Sequence, residues 1–307
     1  MKTFSILLKR NIKLFFNDKG MFLTSLITPL ILLLLYATFL GNVYKQSFIQ
    51  NFPSEFVVSE RVINGLVGGQ LMSSILAVSC VTVAFCSNFL SVQDKVLGSA
   101  KDFTISPVKS TKLSLSYYLA SLVSTLIICF TGTLICFIYL AFTGWYLTFS
   151  AVVRFLLDVV LLSLFGTILS SIVNCFIETN GQMSAVGTIV SSAYGFICGA
   201  YMPIASFPEG LQKILSFLPG TYGTSLMRNH AMNGAIYTLQ DEGLEQGYID
   251  AIRDALDCRV YFNDQMVEEM YKYIILIGAI IILIIIYLSL TYKKKNRLDK
   301  VKPTNLF

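Results

Sequence analysis

Two residues of opposite charge stand four positions apart inside a long apolar stretch of the 307-residue chain. Arg154 and Asp158 would share one face of a helix, close enough for an ion pair within that helix. A carboxylate at mid-membrane depth is typical of proton relays and ion sites. The interpretation that we favour is an interfacial pair near the outer end of a membrane span. The pattern therefore supports an ion-driven transporter only weakly.

The other groups that commonly perform chemistry lack the spacing that their chemistry needs. Six of the seven cysteines lie in apolar stretches, where thiols behave as small hydrophobic groups. Cys258 is alone in a polar segment, so we expect no disulfide there. His230, the sole histidine, has no metal-ligand pattern around it, and we predict no metal site. The sequence also has no phosphate-binding G-x-x-x-x-G-K-[ST] loop and no G-x-S-x-G or H-E-x-x-H motif.

The composition places the chain in a membrane. Hydrophobic residues make up 55% and charged residues 13%, whereas a soluble domain carries roughly 25% charged residues. Six apolar runs are long enough to cross a bilayer as helices, which takes about 20 residues each. We place them at 21–40, 66–90, 115–142, 151–177, 184–202 and 273–290. None alternates like a barrel strand, so the predicted fold is an all-α integral membrane protein with six transmembrane helices.

Charge predicts the orientation of these spans. The N-terminal tail, the segment between spans two and three and the C-terminal tail hold fifteen of the 23 basic residues. The positive-inside rule places all three, and both termini, in the cytoplasm. From Ile204 to Tyr271, between spans five and six, the chain has ten acidic and four basic residues, which places that segment outside. The predicted parts are an amphipathic cytoplasmic helix at 1–20, a six-span domain at 21–292, which includes an inner loop at 91–114 and an outer segment at 203–271, and a basic cytoplasmic tail at 293–307.

Two of the predicted cytoplasmic segments are patterned. In the first 20 residues one helical face carries apolar side chains and the opposite face carries lysines, which predicts an interfacial helix. The apolar face consists of Phe4, Leu8, Ile12 and Phe15. Such a helix is either a plain membrane anchor or a contact for a cytoplasmic partner. In the inner loop a short helix would end before Pro107, and a solvated connection is the alternative.

The fifth span is followed by a helix break. Pro203, Pro208 and Pro219 are three of the seven prolines of the chain. Between them an apolar pattern with helical spacing predicts a short amphipathic helix; it consists of Leu211, Ile214, Leu215 and Leu218. Within the span itself, small residues recur every four positions and allow close helix packing, within one chain or between two. These residues are Gly187, Ser191, Gly195 and Gly199.

The order of these parts resembles the membrane subunit of ABC exporters of the ABC-2 type, also called type V. Three stretches carry the resemblance: the amphipathic start leading into "NDKGMFLTSLITPLILLLLY", the loop "VQDKVLGSAKDFTISPVKSTKLSLSYYLA", and "GAYMPIASFPEGLQKILSFLPGTYGTSLMR". The third is the most distinctive, with a small-aromatic-Pro step, a short helix, a Pro-x-Thr-Tyr corner and an arginine. A long acidic segment after Arg228 departs from many relatives.

The resemblance implies that the pore and the site of ATP hydrolysis belong to different subunits. Two copies of this chain, or this chain and a paralogue, would form the pore in membrane lipid. Separate ATPase subunits would bind ATP and Mg, so this chain would be no enzyme, hold no cofactor and bind no nucleic acid. Motion of the ATPases would reach the membrane through the inner loop and the N-terminal helix. The residues expected to transmit it are Asp94, Lys95, Lys101, Asp102 and Phe103, with Lys9, Arg10 and Lys13 beside them.

The resemblance also implies an outer gate. The fifth span would end in re-entrant helices, which are tolerated at membrane depth only where protein or a water-filled cavity covers the backbone. A helix resting on the outer surface would use the same residues without gating. The gate residues would be Pro203, Pro208, Leu211, Pro219 and Tyr222.

The apolar spans favour a hydrophobic or amphipathic cargo, such as a drug, a small peptide or a lipid, and a role of the multidrug-efflux kind. An exporter subunit for a lipid-linked polysaccharide and an ion-driven secondary transporter are the alternatives. A secondary transporter is expected to show repeated halves and mid-membrane carboxylates. The Lys- and Ile-rich composition with a single Trp is typical of a Gram-positive bacterium with low GC content.

Overall fold

The computed structural model describes residues 2–53, 58–99, 102–103, 108, 110–263 and 265–301. The first half of the described chain contains α1 (Lys2–Asn17), α2 (Lys19–Leu35), a π-helical turn (Tyr36–Leu40), α3 (Gly41–Asn51), α4 (Glu60–Asn88), α5 (Leu90–Val96) and α6 (Ser110–Thr143). The second half contains α7 (Phe149–Phe176), α8 (Asn180–Ile197), a 3₁₀ turn (Ile204–Ser206), α9 (Glu209–Leu215), α10 (Pro219–Asp241), α11 (Gln246–Ala255), β1 (Tyr261–Phe262), β2 (Gln265–Met266) and α12 (Glu269–Val301).

Five helical stretches in the described residues are long and apolar enough to cross a membrane. They are Lys19–Gln46, Glu60–Val96, Thr111–Thr143, Phe149–Phe176 and Glu269–Tyr292, and they contain predicted spans one to four and six. The predicted fifth span falls on α8, which has 18 residues and a polar first turn. An all-α membrane protein is therefore confirmed apart from one two-residue hairpin, in which Tyr261 pairs with Met266. The count of six spans stays a prediction.

Polar side chains at the helix starts explain where several helices begin. Asp18, Ser59 and Thr148 accept a hydrogen bond from a backbone N–H in the first turn of α2, α4 and α7, respectively. Thr179 and Gln182 form a reciprocal capping box at the start of α8. Each side chain satisfies a backbone donor that the helix itself leaves without a partner.

The helix α4 is the centre of the bundle, in contact with α2, α6, α7, α8 and α10. Small residues on both sides of the contacts allow these close approaches, as is common between helices in lipid. A Cβ atom added at Gly69 would lie 2.8 Å from the carbonyl oxygen of Ala231 in α10. One added at Gly166 of α7 would lie equally close to the carbonyl oxygen of Cys80. The chain therefore packs backbone against backbone along the most buried helix.

The break after α8 is built from backbone geometry rather than from proline alone. Gly199 has a φ of +74°, a left-handed conformation that a glycine adopts without the Cβ penalty of other residues. The N–H groups of Ala200 and Tyr201 then turn back to the carbonyl oxygen of Gly195, at 2.8 and 3.0 Å. After α9, Pro219 occupies the first turn of α10, where its missing N–H costs nothing.

Candidate functional site

A cluster that we call the α1 joint connects the N-terminal helix to the start of the predicted inner loop. The guanidinium of Arg10 donates to both carboxylate oxygens of Asp94, at 2.7 and 3.0 Å, across 84 positions of sequence. The hydroxyl of Tyr117 in α6 donates to the same carboxylate at 2.5 Å. Arg10 also lies over the ring of Phe103, 5.1 Å from its centroid, a cation–π geometry.

The α1 joint is buried on one side only. Asp94 is 4% exposed, whereas the side chain of Arg10 keeps 31% of its surface accessible. The hydrogen bond with Asp94 raises the pKa of Arg10 above its ordinary value. Since bidentate arginine–carboxylate pairs fix orientation as well as charge, the joint holds α1, α5 and α6 in one relative arrangement.

The remaining predicted coupling residues have different surroundings. The ammonium of Lys95 donates to the carbonyl oxygens of Asn174 and Ile177, at 2.5 and 3.3 Å, and so satisfies the end of α7. Lys9, Lys13 and Asp102 are exposed. Lys101 lies outside the described residues. Arg10, Asp94 and Phe103, which the sequence analysis grouped, therefore lie together, whereas Tyr117 was not among the predicted residues. Their role in coupling stays a prediction.

The buried face of α1 is rotated from the predicted one. Its most buried side chains are Leu7, Asn11 and Phe15, whereas Phe4, Leu8 and Ile12 are only partly buried. The amide of Asn11 donates to the hydroxyl of Ser116 in α6 at 3.3 Å. A polar residue therefore sits in the centre of this contact, which a purely apolar criterion does not find.

A second cluster, which we call the break anchor, holds the turn after α8. Arg228 of α10 donates to the carbonyl oxygen of Gly199 and to the carboxylate of Asp257 at 3.2 Å. That carboxylate also accepts the N–H of Ile204 at 2.5 Å and of Ala205 at 3.3 Å. Burial raises the pKa of Asp257, although the charge of Arg228 opposes this shift. One ion pair thus ties the helix break to α10 and to the end of α11.

The predicted gate residues surround the break anchor. Pro203 and Pro208 immediately precede the 3₁₀ turn and α9, respectively, and Pro219 opens α10. Tyr222 is buried and donates its hydroxyl to the carbonyl oxygen of Ser216 at 2.6 Å. Leu211 is 39% exposed. The prolines thus lie at every joint of the broken helix, and Tyr222 fastens α9 to α10.

The small-residue stripe of α8 contacts different groups along its length. A Cβ added at Gly187 would lie 3.2 Å from the ring of Phe89 at the end of α4. Gly195 is covered by the ring of Tyr201, which folds back from the break, and the hydroxyl of Tyr201 donates to the carbonyl oxygen of Ser191 at 3.3 Å. Gly199 supplies the left-handed turn. The small residues of the stripe therefore leave room for α4 at Gly187 and for the returning chain, at Tyr201, against Gly195.

A buried histidine network corrects the expectation of a self-contained pair in α7. Asp158 is fully buried and faces His230 Nδ1 of α10 at 2.6 Å, and it accepts the hydroxyl of Tyr273 of α12 at 2.9 Å. His230 Nε2 lies 3.2 Å from Glu269, and Arg154 pairs with that same glutamate at 3.3 Å. His230, which the sequence left without a partner, thus links three helices.

A cavity of about 1020 Å³ is lined by residues of α2, of α8 and of the end of α4. Its wall is mainly apolar, with Ile27, Ile31 and Phe196 among the lining residues, and hydroxyl groups from α8 line the other side. Tyr36, at the start of the π-helical turn, is also a lining residue. The cavity can hold an apolar molecule of moderate size. No group of metal-ligating side chains occurs among the described residues.

The sequence matches the family model of the ABC-2 type transporter over residues 2–231. Since this covers most of the 307 residues, the chain belongs to the ABC-2 type transporter family. Members of this family are membrane permeases. The match includes α1, the α1 joint and Arg228, and it ends before Asp257. No curated protein matches the chain significantly.

Proposed function

We propose that this chain is the permease subunit of an ATP-driven exporter that moves a hydrophobic or amphipathic cargo out of the cell. A separate ATPase subunit would bind ATP and Mg. The α1 joint is the observation that carries the proposal. An external push on α1 or on the loop after α5 would act on Asp94, which is buried against α6. The joint thus offers a stiff connection from the surface to the bundle.

Charge supports an arrangement with the α1 joint in the cytoplasm and the break anchor outside. Both termini would then be cytoplasmic. The segment α8–turn–α9–α10 would form a re-entrant outer gate, because Arg228 and Asp257 satisfy backbone groups of the turn, as a break at membrane depth requires. The cavity between α2 and α8 is open on one side, which suits a pore shared with a second copy or a paralogue.

The proposal is tested by reconstituting the chain with the ATPase encoded by a neighbouring gene. ATP hydrolysis and ATP-driven uptake of an amphipathic dye into inside-out vesicles are measured for the wild type and for Asp94→Asn. We expect the variant to co-purify with the ATPase but to transport about five- to tenfold less dye per ATP, the usual range of a coupling free energy. Ser5→Ala, an exposed position on the same helix outside the predicted coupling residues, is the matched control.

If Asp94→Asn transports as much dye per ATP as the wild type, the α1 joint has no role in coupling. An absence of ATP-driven dye uptake in the wild-type complex, with other amphipathic molecules tested, would remove the exporter itself. An exporter of lipid-linked polysaccharide would show ATP hydrolysis stimulated by that polymer and not by the dye.

The histidine network favours one other candidate, an ion-driven transporter, because a chain of hydrogen-bonded titratable groups runs from the buried Asp158 through His230 to the partly exposed Glu269. The discriminating measurement is dye uptake by the chain alone under an imposed proton gradient. Uptake that a protonophore abolishes would support the ion-driven function. Uptake that depends on the ATPase and is indifferent to the protonophore supports the exporter.

A further inference from the structure

A second cavity, which we call the outer pocket, lies beside the break anchor and has a volume of about 560 Å³. Three parts of the chain line it: the 3₁₀ turn with α9, the start of α10, and the stretch from the end of α11 to the hairpin. The carboxylate of Asp257, which accepts the N–H groups of Ile204 and Ala205, belongs to a residue of its wall. The outer pocket therefore lies between the helix break and the segment that follows α11.

The two sides of the outer pocket have different relations to the family. The match to the ABC-2 type transporter ends at residue 231. The turn, α9 and the start of α10 lie within the match, whereas the lining residues Asp254, Arg259 and Tyr261 lie beyond it. Membership of the family therefore does not account for this pocket.

One acidic and one basic residue of the wall have charges that are free for a ligand. Asp257 is paired within the break anchor, and Asp254 lies 3.8 Å from Arg259. Glu209 and Lys213 also line the pocket, and both are exposed. Their charged groups make no hydrogen bond or ion pair with any residue that the structure describes. The pocket thus offers one carboxylate and one ammonium group on the same face of α9.

The rest of the wall combines apolar surface with hydrogen-bond acceptors. Val260 is buried, and Tyr261 is 44% exposed; both line the pocket together with Ile204. The hydroxyls of Ser216 and Thr221 donate to the backbone carbonyl oxygens of Lys213 and Leu215. A hydroxyl oxygen that donates in this way can still accept a hydrogen bond. The wall therefore suits a ligand that has small apolar groups and N–H donors.

We propose that the outer pocket binds a short zwitterionic peptide of about two residues. Its ammonium group would pair with Glu209 and its carboxylate with Lys213, while its apolar side chains would lie against Val260 and Tyr261. Residues four positions apart on a helix have Cβ atoms about 5–6 Å apart. Two extended residues span at most about 7 Å, so both ends of a dipeptide reach the two charges together. The inference goes beyond the proposed function, because this binding needs neither ATP nor export.

Ligands with one charge or none complement the outer pocket less well. A simple cation would pair with Glu209 but would be repelled by Lys213, and a simple anion would meet the reverse situation. An uncharged molecule would use neither charge. In a free amino acid both charged groups are attached to one carbon atom, so they are too close together to reach both side chains at full contact.

The test is equilibrium dialysis of tritiated valyl-valine against the purified full-length chain in detergent micelles, with empty micelles as the blank. Unlabelled valyl-valine should compete about fivefold better than N-acetyl-valyl-valine or valyl-valinamide, because each of these lacks one terminal charge. Fivefold corresponds to the upper value for one exposed ion pair. Equal competition by the three peptides would overturn the proposal. Stronger competition by glycerophosphoethanolamine, a lipid head group with the same two charges, would overturn the assignment to a peptide.

Variants of α9 locate the binding. Glu209→Gln and Lys213→Gln should each weaken valyl-valine binding about fivefold. Both residues are exposed, so the melting temperature of each variant should equal that of the wild type. The matched control is Glu242→Gln, which removes an exposed carboxylate at the end of α10, outside the pocket wall, and should bind as the wild type does. Unchanged binding by both α9 variants, or an equal loss in Glu242→Gln, would overturn the site. Because no ATPase is present, failure of the proposed export function would leave this result unaffected.

Discussion

The α1 joint and the break anchor are both arginine–aspartate pairs, but their surroundings differ. In the break anchor the side chains of Arg228 and Asp257 are 1% and 9% exposed, and four backbone groups are bonded to the pair. In the α1 joint the arginine keeps about a third of its surface open. A pair that is desolvated on all sides fixes a structure, whereas a pair open on one side can be displaced by a partner.

The largest expected effect on stability is at the buried ion pair, in the break anchor. Arg228→Met leaves the carboxylate of Asp257 buried without its counter-charge, and we expect a loss of about 3–5 kcal/mol in the free energy of unfolding. Denaturant titration in detergent micelles measures it. The double variant Arg228→Met/Asp257→Asn should recover much of this loss, because no charge stays buried and asparagine can still accept a backbone N–H at the left-handed φ of +51°. A single variant within about 1 kcal/mol of the wild type would contradict the role of the anchor.

Close packing beside the break anchor predicts the next largest effect. A Cβ atom at Gly234 of α10 would collide with the carbonyl oxygen of Tyr146, in the connection between α6 and α7. Gly234→Ala should therefore cost about 1–3 kcal/mol as an overpacked site. The control is Gly132→Ala in α6, where the added Cβ would lie 3.5 Å from Leu76, an ordinary contact. Equal thermal stability of the two variants would show that α10 and the connection at Tyr146 move apart at little cost in free energy.

The histidine network gives a pH-dependent prediction of intermediate size. Both ring nitrogens of His230 face carboxylates, from Asp158 and from Glu269, and only the imidazolium form donates from both nitrogens. The groups around it are the hydroxyl of Tyr273, which bonds to Asp158, and Arg154, which shares Glu269. The stabilisation is thus present below the ordinary histidine pKa of about 6.5 and weakens as pH rises.

Thermal unfolding from about pH 5.5 to pH 8 tests this behaviour across the histidine range. We expect wild-type stability to fall on this rise in pH by about 1–2 kcal/mol, the contribution of a hydrogen bond to a charged group. His230→Gln can donate to only one of the two carboxylates through its single amide nitrogen, and its curve should be nearly flat. Parallel curves for the two proteins would refute the imidazolium assignment.

These clusters show which parts of the molecule the sequence could predict. Hydropathy predicted six spans, and five of them fall on helices long and apolar enough to cross a membrane among the described residues, because each span is read from adjacent residues. The prolines predicted the break because they act locally. The partners in the clusters are far apart in the chain: Arg10 and Asp94 by 84 positions, Asp158 and His230 by 72. No local period encodes such pairs. Arg228 within an apolar motif was the one available signal that a buried acid must exist elsewhere.

The α1 joint predicts a small effect on stability beside a large effect on coupling. Arg10→Met alone would leave the buried carboxylate of Asp94 without its counter-charge, so the test uses Arg10→Met/Asp94→Asn, in which no charge stays buried. Because Arg10 is about a third exposed, this double variant should cost at most about 1 kcal/mol in free energy of unfolding. The bidentate geometry is nevertheless lost, so dye transport per ATP should fall as in Asp94→Asn. Arg10→Lys keeps the charge without the planar fork and should restore little transport. Full transport by Arg10→Lys would mean that charge alone carries the coupling.

The smallest effect on stability is expected at an ion pair in which both side chains are partly exposed. Arg259 donates to Asp250 at 2.6 Å in the acidic segment, and a hydrogen bond from Gln246 and then this arginine hold the pKa of Asp250 below its usual value. A carboxyl with a lowered pKa stabilises the fold at neutral pH, and this stabilisation is lost as pH falls through that lowered pKa.

Arg259→Met should change the melting temperature only slightly, and about 1 M salt should abolish the difference because the Debye length is then about 3 Å. The loss of stability in Arg228→Met should persist in the same salt, because no ions reach the buried pair. Equal salt sensitivity of the two variants would mean that burial does not distinguish the two kinds of ion pair.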